Sequence, residues 1–404
     1  MTPAGPPFSL RSIAVPAFGP ALLFCIGEGA VLPVIALTAR DLGASVSLAA
    51  LIVTLIGLGS WFFNLPASLI TLKFGERWSI VGAAGVSALA LAAAAVSGMV
   101  PNGLWLLAVA MVVVGMSASV FSLARQKYLT EAVPVEFRAR ALSTLGGVSR
   151  IGIFIGPFVG AAVMQVGGLH SAYWVGVGGM AAAALLGGLV RDLEVRSGRS
   201  DGYDSTPEPT MRGIAVSHAS IFLTAGFGIL LLSALRASRQ VVIPLWADHL
   251  GLDATGASLI YGLSGAVDML VFYPAGKLMD RKGRQWVAVP STLIMGISLL
   301  LIPLTGGFTG LLLASLLIGF GNGISSGLVM TLGADYSPDR GRGQFLGMWR
   351  FMSDAGSTGG PVLLSAVTAA ATLSAGISAT GILGFAAAAV FAVVLPRLKH
   401  RRNY

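Results

Sequence analysis

Long runs without a charged side chain are the feature that most limits how this chain can fold. Five of them are Leu42–Leu72, Trp78–Ala124, Ile151–Val190, Gln285–Ala334 and Ala355–Pro396. An α-helix needs about 20 consecutive apolar residues to cross a bilayer, so several of these runs are long enough for two helices. Only 11% of the residues are charged, whereas soluble domains carry about 25%. The sequence therefore predicts an all-α membrane protein.

Turn residues such as Pro101-Asn102-Gly103 divide the long runs. Twelve spans result, near residues 12–38, 47–72, 78–100, 104–130, 141–166, 171–190, 215–246, 255–276, 286–305, 309–334, 343–370 and 376–395. The one long polar connection is charged and rich in Pro, Ser and Gly, which indicates a flexible linker. We therefore predict a six-helix bundle over 1–190, a cytoplasmic linker over 191–212 and a second six-helix bundle over 213–404.

Basic residues predict the orientation. Most Lys and Arg side chains fall in connections on one side, and the predicted loops of the other side hold only Arg40. By the positive-inside rule both termini are then cytoplasmic, in a multi-pass protein of the cell (inner) membrane. The same bias accounts for the net charge of +9, so we expect membrane lipid and no nucleic acid as partner. With one cysteine and four scattered histidines, we expect no metal and no cofactor.

The two predicted bundles are copies of each other. Residues 64–78 (NLPASLITLKFGERW) match 272–286 (FYPAGKLMDRKGRQW), and residues 131–157 match 335–361. Three pairs of matched residues are Pro66 with Pro274, Gly75 with Gly283, and Trp78 with Trp286. Two six-span repeats in the same orientation are typical of parallel-repeat transporters.

The loop between predicted spans 8 and 9 resembles the signature loop of the major facilitator superfamily. It reads Gly276-Lys-Leu-Met-Asp280-Arg281-Lys-Gly283-Arg284. The resemblance implies the major facilitator fold of twelve helices in two six-helix repeats. It also implies transport of a small-molecule substrate by alternating access, no enzyme activity, and a central cavity lined by spans 1, 4, 7 and 10. We expect a monomer.

The same resemblance implies an inner gate. Asp280 would cap the start of span 5, a favourable charge–dipole contact, and Arg281 would meet Asp335 at the end of span 10. The first-half copies of these gate residues are Lys73 and Glu131. Leu72 stands where the motif has its Asp, so we predict a weaker latch in the first half.

A second motif lies in the fifth span, where Gly152, Gly156, Pro157 and Gly160 follow the pattern GxxxGPxxG. This pattern resembles the glycine–proline motif of the 12-span drug:proton antiporters and implies export. The alternative is a helix kink with close packing.

Ionisable side chains within spans are functional candidates, because desolvation makes idle charges rare in lipid. The deep ones are Glu28, Arg150, Arg236, Arg239, Asp268, Arg350 and Asp354. At the cytoplasmic end of span 4, Arg125 and Lys127 can extend to the lipid headgroups. Arg125 is also a candidate for the substrate or a charge pair.

The repeat predicts a partner for Glu28, the only charged residue from Ser12 to Ala39. Aligning Pro33 with Pro244 places Glu28 opposite Arg239, with Arg236 one turn away. We predict a proton-sensitive Glu28–Arg239 pair. A static ion pair is the alternative.

Two other pairs are predicted from position. Spans 5 and 8 adjoin in the superfamily fold, so Arg150 and Asp268 are expected to pair and to hold the interface. Arg350 and Asp354 are four residues apart and share a helix face. Asp354 is thereby a second candidate for proton binding.

These features favour a proton-coupled exporter of small amphipathic compounds. A carboxylate that binds a proton outside and releases it inside changes its charge, and this biases alternating access between two states. Polar residues expected in the cavity are Ser117, Ser119, Trp246, Tyr261 and Asn322. Two alternatives stay open: a symporter or facilitator for an anionic metabolite or lipid, which the deep arginines suit, and a non-transporting membrane sensor or scaffold.

Overall fold

The computed structural model describes residues 14–133, 135–189, 211–338 and 340–401. Every regular element in these ranges is helical, so the all-α prediction is confirmed. Eleven stretches are long and apolar enough to cross a bilayer. The predicted span near 343–370 is also a long helix, but its Arg350, Asp354 and small polar residues make it less apolar than those eleven. The predicted linker lies outside the described residues, apart from Met211 and Arg212.

The described part of the first half contains six α-helices. They are α1 (Ala14–Val31), α2 (Ile35–Asp41), α3 (Val46–Ala95), α4 (Gly103–Ala132), α5 (Val135–Gly167) and α6 (Ser171–Gly188). Within α3, Gly75 has φ 75° and ψ 170° and therefore leaves the helical conformation. This glycine separates the predicted spans 2 and 3.

The second half contains nine helices among the described residues. They are α7 (Met211–Ser217), α8 (Ala219–Ile221), α9 (Phe227–His249), α10 (Ala254–Lys282), α11 (Gln285–Leu301), α12 (Phe308–Ile324), α13 (Leu328–Tyr336), α14 (Arg342–Ala370) and α15 (Leu373–Arg401). A π-helical turn, Phe222–Gly226, joins α8 to α9. The helix α10 begins at the cap Asp253, whose side chain accepts a hydrogen bond from the Gly256 N–H at 3.0 Å.

Three predicted spans are interrupted: the first, the tenth, and the seventh, which breaks at His218 before the π-helical turn. The first breaks between α1 and α2 at Pro33, because proline lacks an N–H and clashes with the preceding turn. The tenth breaks between α12 and α13, where the Ser325 hydroxyl donates to the Asn322 carbonyl at 3.0 Å. A serine that bonds to nearby backbone competes with the helical hydrogen bonds. Pro244, by contrast, is retained inside α9.

The first and seventh spans end in the same turn. Gly43 has φ 86° and Gly251 has φ 72°, a region that glycine adopts without strain. In each turn the glycine N–H donates to the carbonyl three residues earlier, that of Arg40 or Asp248, at 2.9 Å. Arg40 and Asp248 are 208 residues apart and thus hold the same place in the two copies.

Contacts divide the described residues into two compact units. The first unit comprises those within 1–31 and 58–197, and the second those within 32–57 and 198–404. In the first, α1 packs against α5 and α6; in the second, α9 packs against α14 and α15, and α10 packs against α12. The segment 32–57 belongs to the first bundle by sequence but groups with the second unit, where α2 contacts α9.

Candidate functional site

Glu28 lies within α1, between two glycines that bring other helices close. A Cβ added at Gly27 would lie 2.9 Å from the carbonyl oxygen of Gly176 in α6. One added at Gly29 would lie 2.6 Å from the carbonyl oxygen of Ile153 in α5. The backbone of α1 therefore touches both neighbours beside the carboxylate, as small residues in membrane helices allow.

Arg125 of α4 is the charged group that interacts electrostatically with Glu28. Its Nη1 donates to the Ser149 Oγ of α5 at 3.2 Å, and its Cζ lies 5.5 Å from the centroid of the Phe121 ring. Its Nε is buried and makes no hydrogen bond within the described part of the chain. The side chain turns toward α1 and α5, so the expectation that it extends to the lipid headgroups is wrong. A nearby opposite charge offsets part of the desolvation of both groups.

The second unit contains its own charged cluster, made by α9, α10 and α12. The Arg236 Nε donates to the Asn322 Oδ1 at 2.8 Å, and the Asn322 Nδ2 donates to the Asp268 Oδ2 at 2.5 Å. The same carboxylate oxygen lies 3.6 Å from the Arg239 Nη1. The Arg239 Cζ also lies 5.2 Å from the centroid of the Tyr261 ring, a cation–π contact. We call these five residues the second-unit cluster.

The Arg239–Asp268 contact is loose for a pair of this burial, since the two side chains are only 10% and 17% exposed. A separation of 3.6 Å is too long for a hydrogen bond, whereas arginine–carboxylate pairs are often bidentate. Arg239 Nε and Nη1 and Asp268 Oδ1 are buried and make no hydrogen bond to any described residue. Because buried polar atoms are normally satisfied, these atoms need an explanation.

Close helix packing assembles the second-unit cluster. A Cβ added at Gly323 of α12 would lie 2.6 Å from the Asp268 carbonyl oxygen of α10. This approach brings the neighbouring Asn322 to the Asp268 carboxylate. Tyr261 lies two helical turns before Asp268 and therefore shares its face of α10.

Arg239 and Asp268 pair within the second unit, which the alignment of the repeats did not predict. Their predicted partners, Glu28 for Arg239 and Arg150 for Asp268, belong to the first unit, and those two pairs stay predictions. On α14, the Arg350 Nε lies 4.0 Å from the Asp354 Oδ2, as the spacing of four predicts.

At the end of the second unit that is predicted to be cytoplasmic, Arg284 holds Asp335. The Arg284 Nε donates to the Asp335 Oδ2 at 2.7 Å, and Nη2 donates to Oδ1 at 3.4 Å. Asp280 and Arg281 are exposed, so the predicted Arg281–Asp335 contact is wrong. Gly283, with φ 97°, turns the chain after α10 and directs the next residue to α13. The capping role of Asp280 stays a prediction.

The first half carries a similar latch with the charges exchanged. Glu76 occupies the repeat position of Arg284, and its Oε1 lies 2.5 Å from the Lys127 Nζ of α4. Lys127 therefore pairs with a carboxylate, and its extension to the headgroups stays a prediction. Lys73 is exposed. The side chain of Glu131 lies outside the described residues, so the predicted role of these two residues in the gate stays a prediction.

The glycines of the GxxxGPxxG motif pack α5 against α1. An added Cβ at Gly152 would lie 2.7 Å from the Leu22 carbonyl oxygen, and one at Gly156 would lie 2.5 Å from the Ala30 N. A Cβ added at Gly160 would lie 3.1 Å from the Ala30 carbonyl oxygen. The helix runs unbroken through Pro157, and its glycines pack closely against α1; the export that the motif implies stays a prediction.

Sequence reasoning missed two polar partners. Ser149 receives the hydrogen bond of Arg125, and the Asn64 Oδ1 accepts one from the Ser119 Oγ at 2.7 Å. Both are polar side chains inside apolar spans, which is the signal that could have found them. Within the described ranges, no group of three His, Cys, Asp or Glu side chains could hold a metal ion.

The sequence profile of the Major Facilitator Superfamily matches residues 18–238 and 225–403. The chain belongs to this superfamily. It is therefore a multi-pass membrane protein that carries out secondary active transport of a small molecule by alternating access, and it is not an enzyme. No curated protein matches the sequence.

Solved structures of transporters share the fold. A POT family transporter in complex with a thioalcohol-conjugated peptide has a TM-score of 0.75 at 12% identity, with 96% of each chain covered. A bacterial homologue of the human lysosomal transporter Spinster has a TM-score of 0.74 at 14% identity, covering 94% of this chain and 96% of that one. A D-xylose–proton symporter has a TM-score of 0.70 at 17% identity, covering 95% and 97%. The predicted superfamily fold is confirmed.

Proposed function

We propose that this transporter is coupled to protons and exports small amphipathic compounds. The observation that carries proton coupling is Asp268, a carboxylate 17% exposed that is held by Asn322 and lies beside Arg239. Protonation removes its charge and with it the attraction to the arginine. A side chain whose contacts depend on its protonation can bias an equilibrium between two conformations.

Glu28 supports the same proposal from the first unit. It lies among close-packed helices and interacts with Arg125, so each unit contains a carboxylate with a neighbouring arginine. Asp354 is the third candidate for proton binding. Its side chain is 34% exposed and faces a more exposed arginine, Arg350, so its protonation changes a weaker contact.

Export rests on the resemblance of the GxxxGPxxG motif to that of the drug:proton antiporters. An amphipathic substrate fits the chain because the polar residues Ser119, Asn322 and Tyr261 lie among apolar helices.

The test is transport in proteoliposomes with an imposed pH gradient of either sign, using a panel of amphipathic compounds. We expect uphill movement of a substrate that stops when a protonophore collapses the gradient. In Asp268→Asn we expect downhill movement only, because the group that responds to protons is gone. Equal rates with and without a gradient in the wild type would exclude coupling. Uphill transport by Asp268→Asn at the wild-type rate would show that Asp268 is not the group that couples transport to protons.

A second candidate is cotransport of an anionic metabolite with protons. The observation that favours it is the composition of the second-unit cluster, which contains two arginines and one carboxylate: Arg239 lies 3.6 Å from Asp268, and Arg236 donates to Asn322. The sign of the gradient separates the two candidates. If the protein is an antiporter, substrate accumulates on the side from which protons leave. If it is a cotransporter, substrate accumulates on the side that protons enter.

A further inference from the structure

Asn322 is the neutral residue that joins charged members of the second-unit cluster. It lies in the last turn of α12 and is 5% exposed. Its Oδ1 accepts a hydrogen bond from the Arg236 Nε at 2.8 Å, and its Nδ2 donates to the Asp268 Oδ2 at 2.5 Å. One buried amide therefore bridges a cation and a carboxylate on two other helices.

These two partners fix the orientation of the amide. An arginine only donates hydrogen bonds, and an ionised carboxylate only accepts them, so the amide oxygen must face Arg236 and the amide nitrogen must face Asp268. The backbone fixes the position of the amide, because a Cβ added at the next residue, Gly323, would lie 2.6 Å from the Asp268 carbonyl oxygen. Asn322 therefore presents a rigid donor to one oxygen of the carboxylate.

The same donor decides which carboxylate oxygen takes a proton. A proton on Oδ2 would weaken the bond from Asn322, because the hydroxyl oxygen of a carboxyl group is a poorer acceptor than its carbonyl oxygen. Asp268 Oδ1 is buried and accepts no hydrogen bond among the described residues. A neutral Asp268 therefore keeps its full bond to Asn322 when Oδ1 carries the proton.

The bond to Asn322 also accounts for the distance between Asp268 and Arg239. The Asp268 Oδ2 lies 3.6 Å from the Arg239 Nη1, whereas arginine–carboxylate hydrogen bonds are usually about 2.7–2.9 Å long. A tight pair would oppose protonation, since an adjacent positive charge stabilises the ionised carboxylate. Because Oδ2 is engaged by the amide, the carboxylate does not close onto the guanidinium.

Few other ionisable groups surround Asp268 in the second unit. There α10 packs against α9, α11 and α12. From α9, Arg236 and Arg239 face the cluster, and Tyr261 precedes Asp268 on α10; α11 and α12 contain no ionisable side chain. Arg150, which is predicted to face Asp268 from the first unit, would add to the effect of Arg239. Arg239 is therefore the charge whose distance from Asp268 the amide can set.

We propose that Asn322 is a positioning residue for proton coupling, whose amide holds the Asp268 carboxylate apart from Arg239 and leaves Oδ1 to take the proton. This role rests on the proposed function, in which Asp268 is the carboxylate that couples transport to protons. Loss of the amide frees Oδ2, and the carboxylate then closes onto the Arg239 guanidinium. Protonation of Asp268 then needs a more acidic solution.

Labelling of the purified full chain with dicyclohexylcarbodiimide tests this role without any transport. The reagent reacts with a carboxyl group in its protonated form, and mass spectrometry of the Asp268 peptide measures the labelled fraction at each pH. In Asn322→Leu, which keeps the size of the side chain without the amide, we expect the pH of half-maximal labelling to fall by about one unit or more. Should Asn322→Leu fail to fold, Asn322→Ser, whose shorter side chain cannot bridge both partners, should lower this pH as well.

Two comparisons separate positioning from packing. Ser264 is buried on α10 one turn before Asp268, and its Oγ donates to the Ser315 carbonyl of α12 at 2.6 Å. Ser264→Ala therefore removes a hydrogen bond between the same two helices and should leave the labelling pH unchanged. In Asn322→Leu/Arg239→Gln the shift to acid pH should disappear, because the charge that the carboxylate would approach is gone.

Four results would overturn the positioning role. One is no labelling of Asp268 in the folded wild type at any pH. Another is a labelling pH in the Asn322 variants that equals or exceeds that of the wild type. A third is an equal fall in Ser264→Ala. The fourth is a shift to acid pH that survives in the double variant.

Transport distinguishes this role from the proposed function. In proteoliposomes, uphill transport by Asn322→Leu should need a lower pH than the wild type on the side that protons enter. If the labelling pH falls as expected while the wild type moves substrate equally with and without a gradient, Asn322 positions Asp268 and the proposed proton coupling is wrong.

Discussion

At the scale of single residues, Glu28 offers the most direct test of proton coupling in the first unit. Glu28→Gln keeps the shape of the side chain but can neither ionise nor respond to Arg125. We expect gradient-driven uptake in proteoliposomes to fall by at least about tenfold, since ionisable groups in spans are retained for function. Downhill movement of the same compound should persist.

The matched control is Glu76→Gln, which removes a carboxylate from the same unit at a loop. Its pair with Lys127 is not placed to carry protons across the span, so transport should keep its dependence on the pH gradient even where loss of this latch changes the rate. Uphill transport at the wild-type rate in Glu28→Gln would show that proton coupling does not require Glu28.

Substitutions in α5 can distinguish whether its glycine–proline motif serves close packing or a helix kink. Gly156→Ala places a methyl group 2.5 Å from the Ala30 N, an overlap that we expect to destabilise the fold by about 1–3 kcal/mol. Gly147→Ala on the same helix meets nothing within 4 Å and should be neutral or stabilising by up to about 1 kcal/mol. Thermal midpoints measure both. A larger loss in Pro157→Ala than in Gly156→Ala would favour the kink instead.

At the scale of elements, the loop after α10 is tied to α13 by Arg284 and Asp335. Arg284→Gln removes two charge-assisted hydrogen bonds, and we expect a loss of about 1.5 kcal/mol or more in stability. The exchanged pair Arg284→Asp/Asp335→Arg should recover part of it. Arg281→Gln, at an exposed position, should change stability by less than about 0.5 kcal/mol. A larger loss of stability in Arg281→Gln than in Arg284→Gln would instead support the Arg281–Asp335 contact that the motif implies.

The elements themselves could be predicted from the sequence, and most contacts between them could not. Apolar runs locate the helices because the bilayer core offers no water, so that the backbone N–H and C=O groups must hydrogen-bond to one another. Whether a proline breaks a helix depends on its neighbours, since Pro33 ends one and Pro244 does not. Arg281 and Arg284 are separated by less than one helical turn, and the φ of Gly283 decides which of them faces Asp335.

The charge pairs show the same limit. Asp268 contacts Asn322 and Arg239 because Gly323 lets α12 lie against the backbone of α10. The sequence of either helix alone does not predict that close approach. Arg350 and Asp354 were predictable, because their contact lies within one helix. Spacing along the chain therefore predicts local pairs, while long-range pairs depend on how closely the helices pack.

At the scale of the whole molecule, alternating access requires the predicted outer ends of the two repeats to separate and rejoin. In this structure the segment 32–57 of the first repeat contacts helices of the second. The Arg40 Nε lies 3.1 Å from the Asp248 Oδ2, and the Ser365 Oγ donates to the Ser47 carbonyl at 2.7 Å. Arg40 and Asp248 belong to the same turn in two copies, so one repeated motif supplies both partners. We therefore expect transport to break these contacts in every cycle.

A reversible cross-link tests this requirement. The lone cysteine, Cys25, is buried, so a Cys25→Ala background makes introduced thiols specific. We expect Ser47→Cys/Ser365→Cys, joined by a short bifunctional thiol reagent with a cleavable disulfide, to lose at least about tenfold in transport rate, because the cross-link holds one of the two states. Reduction should restore the rate, and each single cysteine treated alike should keep it. Full transport by the cross-linked protein would show that these contacts do not open during the cycle.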